Sequence, residues 1–185
     1  MGDNWKNFKD KIVNLQGNLS QFQVDFLDSN SFKDFVDNRW SSVLPGYPEI
    51  CITGYISETI RDKIQYLMHQ KPKVRLISQE LPPKLNKRDR KNLEVLEKLV
   101  KAGVEIKLNH RVHARLLIAY NPSPIVQGLA IIGSFDFNAE CIGKERYDAG
   151  IITRHPDLVK SAVDLFEQIW NEPASKSLDE LTKKL

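Results

Sequence analysis

Apolar residues recur in two rhythms along this chain. Near the start, Trp5, Phe8, Ile12, Leu15, Leu19, Phe22 and Phe26 are spaced by three and four, which predicts one stripe of an amphipathic helix, weakened at Gly17. Phe32, Phe35, Val36 and Trp40 predict a second, short helix. The stretch Leu44–Pro48, with two prolines and a glycine, then stops helical structure.

Beyond it the rhythm changes to short apolar runs alternating with helical patterns. Glu49–Thr53 reads as a strand, and Ser57 can cap a helix running to about Gln70. Lys73–Ser78 is a second strand, and residues 88–102 a helix with Leu93, Leu96, Leu99 and Val100 inward, ended by Gly103. Val104–Leu108 is a third strand, so the order βαβαβ predicts a parallel sheet with right-handed crossovers. His113–Tyr120 and Gly128–Ile132 are joined by a linker too short for a crossover helix and should pair as a hairpin. Asp148–Thr153 is a further strand. Pro156 opens a helix through about Trp170, and Ser177–Glu180 could form a capping box for a short terminal helix. The expected fold is α/β: a mixed β-sheet flanked by helices on both faces. The expected organisation is a helical segment over 1–44, the main domain over 45–172 and a tail over 173–185.

Composition narrows the class. With 185 residues, 41% hydrophobic and 28% charged, the chain can bury a core without staples. Two cysteines, Cys51 and Cys141, are too few for a zinc cluster or disulfide framework and fit a reducing, cytoplasmic setting. No apolar run reaches the ~18 residues of a membrane span. The polar start carries no signal-peptide pattern, and Lys6 stands where an acylation motif wants Ser or Thr. The net charge of +3 is unevenly spread: residues 61–115 hold fifteen Lys/Arg against six Asp/Glu. Its densest part contains Lys84, Lys87, Arg88, Arg90 and Lys91, an electrostatic footprint for nucleic acid or another polyanion. A solvated helix start accounts for the same run equally well.

The residues with chemical potential lie between 113 and 148. His113 and Arg115 are two apart and share one side of a strand; Ser134, Asp136 and Asn138 do likewise, with Phe135 and Phe137 pointing into a core. Gly133 is expected to let the backbone approach a ligand, and Asp148 opens the next strand, within reach of the imidazole. A histidine beside a carboxylate, an arginine and small polar groups suits phosphoryl chemistry: the imidazole attacks or donates a proton while the guanidinium holds phosphate oxygens.

These residues resemble the signature of the phospholipase D superfamily, His-x-Lys, four residues, Asp, then Gly-Ser-x-Asn and an acid on the following strand. His113-Ala-Arg115, Gly133-Ser134-Phe-Asp136 and Asp148 stand in that order, and the resemblance covers about residues 48–171. It implies a metal-independent phosphodiesterase working through a phosphohistidine. Two histidines are needed and this chain carries one motif, so it implies a homodimer; short single-motif members are mostly nucleases. Catalytic roles would fall to His113, Arg115 and Asp148, and phosphate binding to Arg115, Ser134, Asp136 and Asn138; no cofactor is implied. Three positions depart from the signature. Arg115 replaces Lys, Tyr120 stands at the Asp position, and Asp136 replaces the Asn, where a carboxylate repels phosphate unless it is protonated or paired with Arg115. A decayed site that only binds nucleic acid or a phosphorylated ligand is the alternative. A metal site from His113, Asp136 and Asp148 has suitable ligand types without any spacing signature.

Overall fold

In a computed structural model of the chain, residues 23–82, 84–122, 127–137 and 148–178 are described. The strands are β1 (Val24–Asp28), β2 (Glu49–Thr53), β3 (Lys73–Ser78), β4 (Glu105–Leu108), β5 (Arg115–Asn121), β6 (Gln127–Gly133), β7 (Ala149–Thr153) and β8 (Lys176–Ser177). They form a single mixed sheet in the order β1-β7-β6-β5-β2-β3-β4-β8. The β2-β3-β4 unit is parallel, as the alternation of strands and helices predicts. β5 lies antiparallel to β2 on one side and to β6 on the other, completing the expected hairpin.

Helices cover both faces. On one side, α1 (Ser29–Asp34) continues through a π-helical turn, Phe35–Arg39, into α2 (Trp40–Val43). Beside them lie α3 (Glu58–Met68) and α4 (Lys87–Lys101). Their apolar residues meet Ile50, Ile52, Leu117, Ala119, Leu129 and Ile131 of the sheet in one buried cluster. On the other side, α5 (Pro156–Asn171) packs Val159, Ala162, Val163 and Phe166 against Cys51, Leu116, Ile118 and Ala130. The two sets alternate along β2, β5 and β6, so each central strand is buried on both faces and reads as a continuous apolar run.

The sequence rhythm misleads near the start of the described residues. Phe26 falls in phase with the helical stripe, but it lies on β1, which pairs antiparallel with β7; Val24 and Leu27 are the buried positions. Gln23 has φ +58, which sets off the strand, and the Asp28 carboxylate accepts from the Ser31 amide to start α1. The rest of that stripe lies outside the described residues. Phe32 then stacks on Phe135, with centroids 4.3 Å apart, so residues 24–44 share one sheet and one core with the strands after them. At the other end, Lys176 and Ser177 add an antiparallel strand to β4; the remainder of the expected capping box, from Asp179, lies outside the described residues. No described helix is long and apolar enough to cross a membrane.

Under α5 the sheet carries a buried polar network. The Arg75 guanidinium lies over the rings of Phe166 and Trp170, at 5.2 and 5.5 Å. Its Nη2 donates to Glu167 Oε1 (2.5 Å), Tyr120 Oη (3.3 Å) and Glu49 Oε2 (3.4 Å), and the Tyr120 hydroxyl donates to Glu49 Oε2 at 2.8 Å. Tyr120, at the signature's Asp position, therefore sits at the end of β5 far from His113 and helps to fasten α5 to the sheet. Burial, then the bond to Glu49, pushes its phenol above the ordinary range. Burial likewise pushes the Cys51 thiol up to about 12, so it packs as a neutral side chain.

Replacing Arg75 by Met leaves Glu49 and Glu167 without their cation. Both carboxylates keep some access to solvent, so the expected loss is about 2–3 kcal/mol, below that for fully buried pairs, read by urea unfolding. The unfolded tyrosine loses its proton near ~10 while Tyr120 in the folded chain keeps it, so stability falls as pH rises past that value. Tyr120→Phe is expected to flatten that alkaline slope.

Candidate phosphodiester site

His113, Arg115, Ser134, Asp136 and Asp148 lie along one edge of the sheet, where β2 ends, β5 begins, β6 ends and β7 begins. The start of β5 is fixed from two sides. The Thr53 hydroxyl, fully buried, donates to the Ala114 carbonyl (2.7 Å) and accepts from the Leu116 amide (3.0 Å). Asn109, also fully buried, accepts from the Arg111 amide and donates to Ser175 Oγ and Glu172 Oε2, which pins the turn before His113 to the chain after α5. Two rigid anchors therefore flank residues 111–116. His113 itself is exposed, one residue before Ala114, and its imidazole has no hydrogen-bond partner among the described residues.

Arg115 reaches across this edge. Its Nε lies 2.6 Å from Asp136 Oδ1, and its Nη1 donates to the His113 carbonyl at 3.1 Å. The side chain runs past Gly54, where a Cβ would lie 2.8 Å from Arg115 Cδ and 3.4 Å from Phe137. Gly54 also has φ +136, a conformation only glycine adopts without strain. It both turns the chain out of β2 and leaves the channel for the guanidinium. Asp136, which stands where the signature has Asn, is thus paired with Arg115, which stands where it has Lys.

On the neighbouring strands, the Ser134 hydroxyl donates to Asp148 Oδ1 (2.8 Å) and accepts from the Ala149 amide (3.2 Å). Asp148 therefore takes Ser134 as its hydrogen-bond partner, in place of the His113 imidazole that the sequence suggested. β6 ends at Gly133, so Ser134 and Asp136 lie just beyond the strand, yet the alternation persists: Phe135 and Phe137 are buried and Asp136 is half-buried. Asn138 lies outside the described residues. Gly133 serves a different end from close approach to a ligand. A Cβ there, or on its cross-strand partner Gly150, would meet the Phe135 ring at 2.8 or 2.5 Å, so the glycine pair seats the ring that stacks on Phe32.

The basic run flanks the same edge. Asn86 and Asp89 form a capping box that starts α4, so Lys87, Arg88, Arg90 and Lys91 occupy its exposed first turn, with Lys84 just before it. Arg88 lies over the Tyr55 ring at 5.2 Å, and Lys91 meets Glu58 at 3.1 Å. Tyr55 is the residue after Gly54, Ile56 bridges to Phe137, and the Ser57 amide donates to the Phe137 carbonyl at 2.9 Å. Sequence reasoning missed Thr53, Gly54, Tyr55 and Asn109. A Thr-Gly pair closing an apolar strand was the available signal for two of them. Among the described residues, no group of three His, Cys, Asp or Glu side chains could hold a metal ion.

A histidine and a cation where one strand begins, a serine and an acid at the ends of the adjoining strands, and a mixed sheet with helices on both faces are the features of a phospholipase D-like domain. The family model for the cardiolipin synthase, PLD-like domain matches residues 48–170, and the chain belongs to that family. Among solved structures, it is similar to the phospholipase D family member Nuc from Salmonella typhimurium (TM-score 0.62, 15% identity, covering 83% of this chain and 96% of that one). It is also similar to NucT from Helicobacter pylori (TM-score 0.63, 12% identity, 84% and 98%). Polyphosphate kinase from Porphyromonas gingivalis shares the fold over 88% of this chain and 28% of its own (TM-score 0.66, 20% identity). No curated protein matches the chain.

Gly54→Ala is expected to cost about 1–3 kcal/mol from the backbone conformation, read by thermal unfolding. It should also displace Arg115, seen as a shifted Nε–H resonance. Asp136→Ala should shift the same resonance while leaving the Gly54 backbone intact.

Proposed function

We propose that this chain is a metal-independent phosphodiesterase, a nuclease acting as a homodimer through a phosphohistidine. The observation that carries this reading is the convergence of His113, Arg115, Ser134, Asp136 and Asp148 on one sheet edge beside a basic helix start. In the first step an imidazole nitrogen of His113 attacks phosphorus. The P–N bond forms and the bond to the leaving oxygen breaks, while His113 of the partner subunit donates a proton to that oxygen. Water then attacks the phosphohistidine, gives its proton to the same partner imidazole, and releases the phosphate end. An exposed imidazole with no hydrogen-bond partner among the described residues suits a histidine that is completed across a dimer. Arg115 holds phosphate oxygens, and the Asp148–Ser134 pair lines the other wall, with Asn138 the remaining candidate ligand from the sequence. The basic helix start supplies Lys84, Lys87, Arg88, Arg90 and Lys91 as contacts to the phosphate backbone.

A second reading is favoured by one observation, the 2.6 Å pair between Arg115 and Asp136. A neutralised guanidinium binds phosphate weakly, and the domain would then be a decayed module that binds nucleic acid or a phosphorylated ligand.

Incubation with labelled single- and double-stranded DNA and RNA in EDTA is expected to give cleavage that His113→Ala abolishes, with light scattering giving a dimer. An active monomer would contradict the two-histidine mechanism. In the active enzyme Asp136 orients Arg115 or carries a proton, so Asp136→Asn is expected to lower the rate by roughly 10²-fold or more. A gain in rate or phosphate affinity would transfer the protein to the second reading.

A further inference from the structure

The cations of the basic run are not equivalent. Lys84, Lys87, Arg88 and Arg90 are all exposed, and none has an ion pair among the described residues. Arg88 differs in being held: its guanidinium lies 5.2 Å from the centre of the half-buried Tyr55 ring. Fixing an arginine side chain costs rotamer freedom, and a cation–π contact at an exposed position offsets part of that cost. The ring therefore covers part of that cost in advance while the guanidinium's N–H donors stay available. The helix beneath is also fixed, because the Asn86–Asp89 capping box sets its start and Lys91 bonds Glu58 at the head of α3. Glu58 and Asp62, the acids nearest this corner on α3, are themselves engaged by Lys91 and Arg61.

The ring is tied to the phosphodiester site. Its neighbours on either side are Gly54, which packs on Arg115, and Ile56, which bridges to Phe137, one residue beyond Asp136. Arg88 and Arg115 are thus two guanidiniums held by one loop, the first without an ion pair among the described residues and the second in the site. Arg90 sits about 160° from Arg88 around the helix, on the side away from Tyr55.

We propose that Tyr55 and Arg88 form a second phosphate subsite, which grips a neighbouring phosphate of the chain whose reacting phosphate lies at His113 and Arg115. The subsite rests on the nuclease reading and specifies it: the substrate is a polynucleotide with consecutive phosphates rather than a molecule with a lone phosphodiester. Arg88 is the binding residue, and Tyr55 positions it.

The test compares the binding of an oligothymidylate of about twelve nucleotides with that of the thymidine dinucleotide, which has a single phosphodiester. Wild type is expected to prefer the longer chain with a marked salt dependence. Arg88→Gln should reduce that preference several-fold and lower the salt slope by about 0.7, the value for one phosphate contact on a single strand. Tyr55→Leu should reproduce part of the loss and Tyr55→Phe, which keeps the ring, should restore it. Arg90→Gln should cost less than Arg88→Gln. Equal losses at Arg88 and Arg90, or an unchanged salt slope in Arg88→Gln, would overturn the subsite while leaving the nuclease reading intact. A wild type that binds the oligonucleotide no better than the dinucleotide would overturn the subsite, and one that binds neither would overturn both.

Discussion

The ion pair between Arg115 and Asp136 joins the start of β5 to the segment beyond β6 and determines what this sheet edge can do. A guanidinium so placed needs room, a fixed backbone and a counter-charge. Gly54 gives the room, the Thr53 hydroxyl fixes the strand start, and Asp136 is the counter-charge. Since Arg presents a planar fork where the signature has the point charge of Lys, an acid at the adjoining position can hold one N–H while others face outward. The two departures from the signature thus act as a pair.

The same logic separates the two ends of β5. At the end near His113 the polar groups face an exposed edge. At the other end Tyr120 turns a position where the signature has an acid into part of the Arg75 clamp beneath α5. That network keeps the helix on the sheet through contacts that do not involve the candidate site, while burial beside it keeps Cys51 a neutral packing side chain. Stability and chemistry are in this way assigned to opposite ends of one strand.

The reach of the sequence alone depended on what each kind of pattern encodes. β2, β3 and the β5–β6 hairpin were legible because strands buried on both faces leave continuous apolar runs, and the helix cap Ser57 was legible from its residue type before an apolar-periodic stretch, whereas the Asn86–Asp89 capping box was not read. The site was legible as far as residue type and alternation carry: Phe135 and Phe137 inward, Arg115 and Asp136 together. Phe26 was misread because a residue in phase with a preceding stripe looks helical even after the chain has turned at Gln23. Thr53 and Asn109 escaped notice because their role depends on partners 61 to 66 residues away, which no local pattern records. Gly133 was legible as important but not for its reason, the seat of a ring that stacks on a phenylalanine from α1.

The proposed function stands or falls on a covalent step, the transfer of the nucleotidyl group to His113 between two half-reactions. Rapid acid-free quenching of the protein during turnover of an oligonucleotide, followed by peptide mass spectrometry, tests it directly. The account predicts a nucleotidyl adduct on His113 that appears before product release and is absent from His113→Ala. Turnover without an adduct, or an adduct on any other residue, would contradict it.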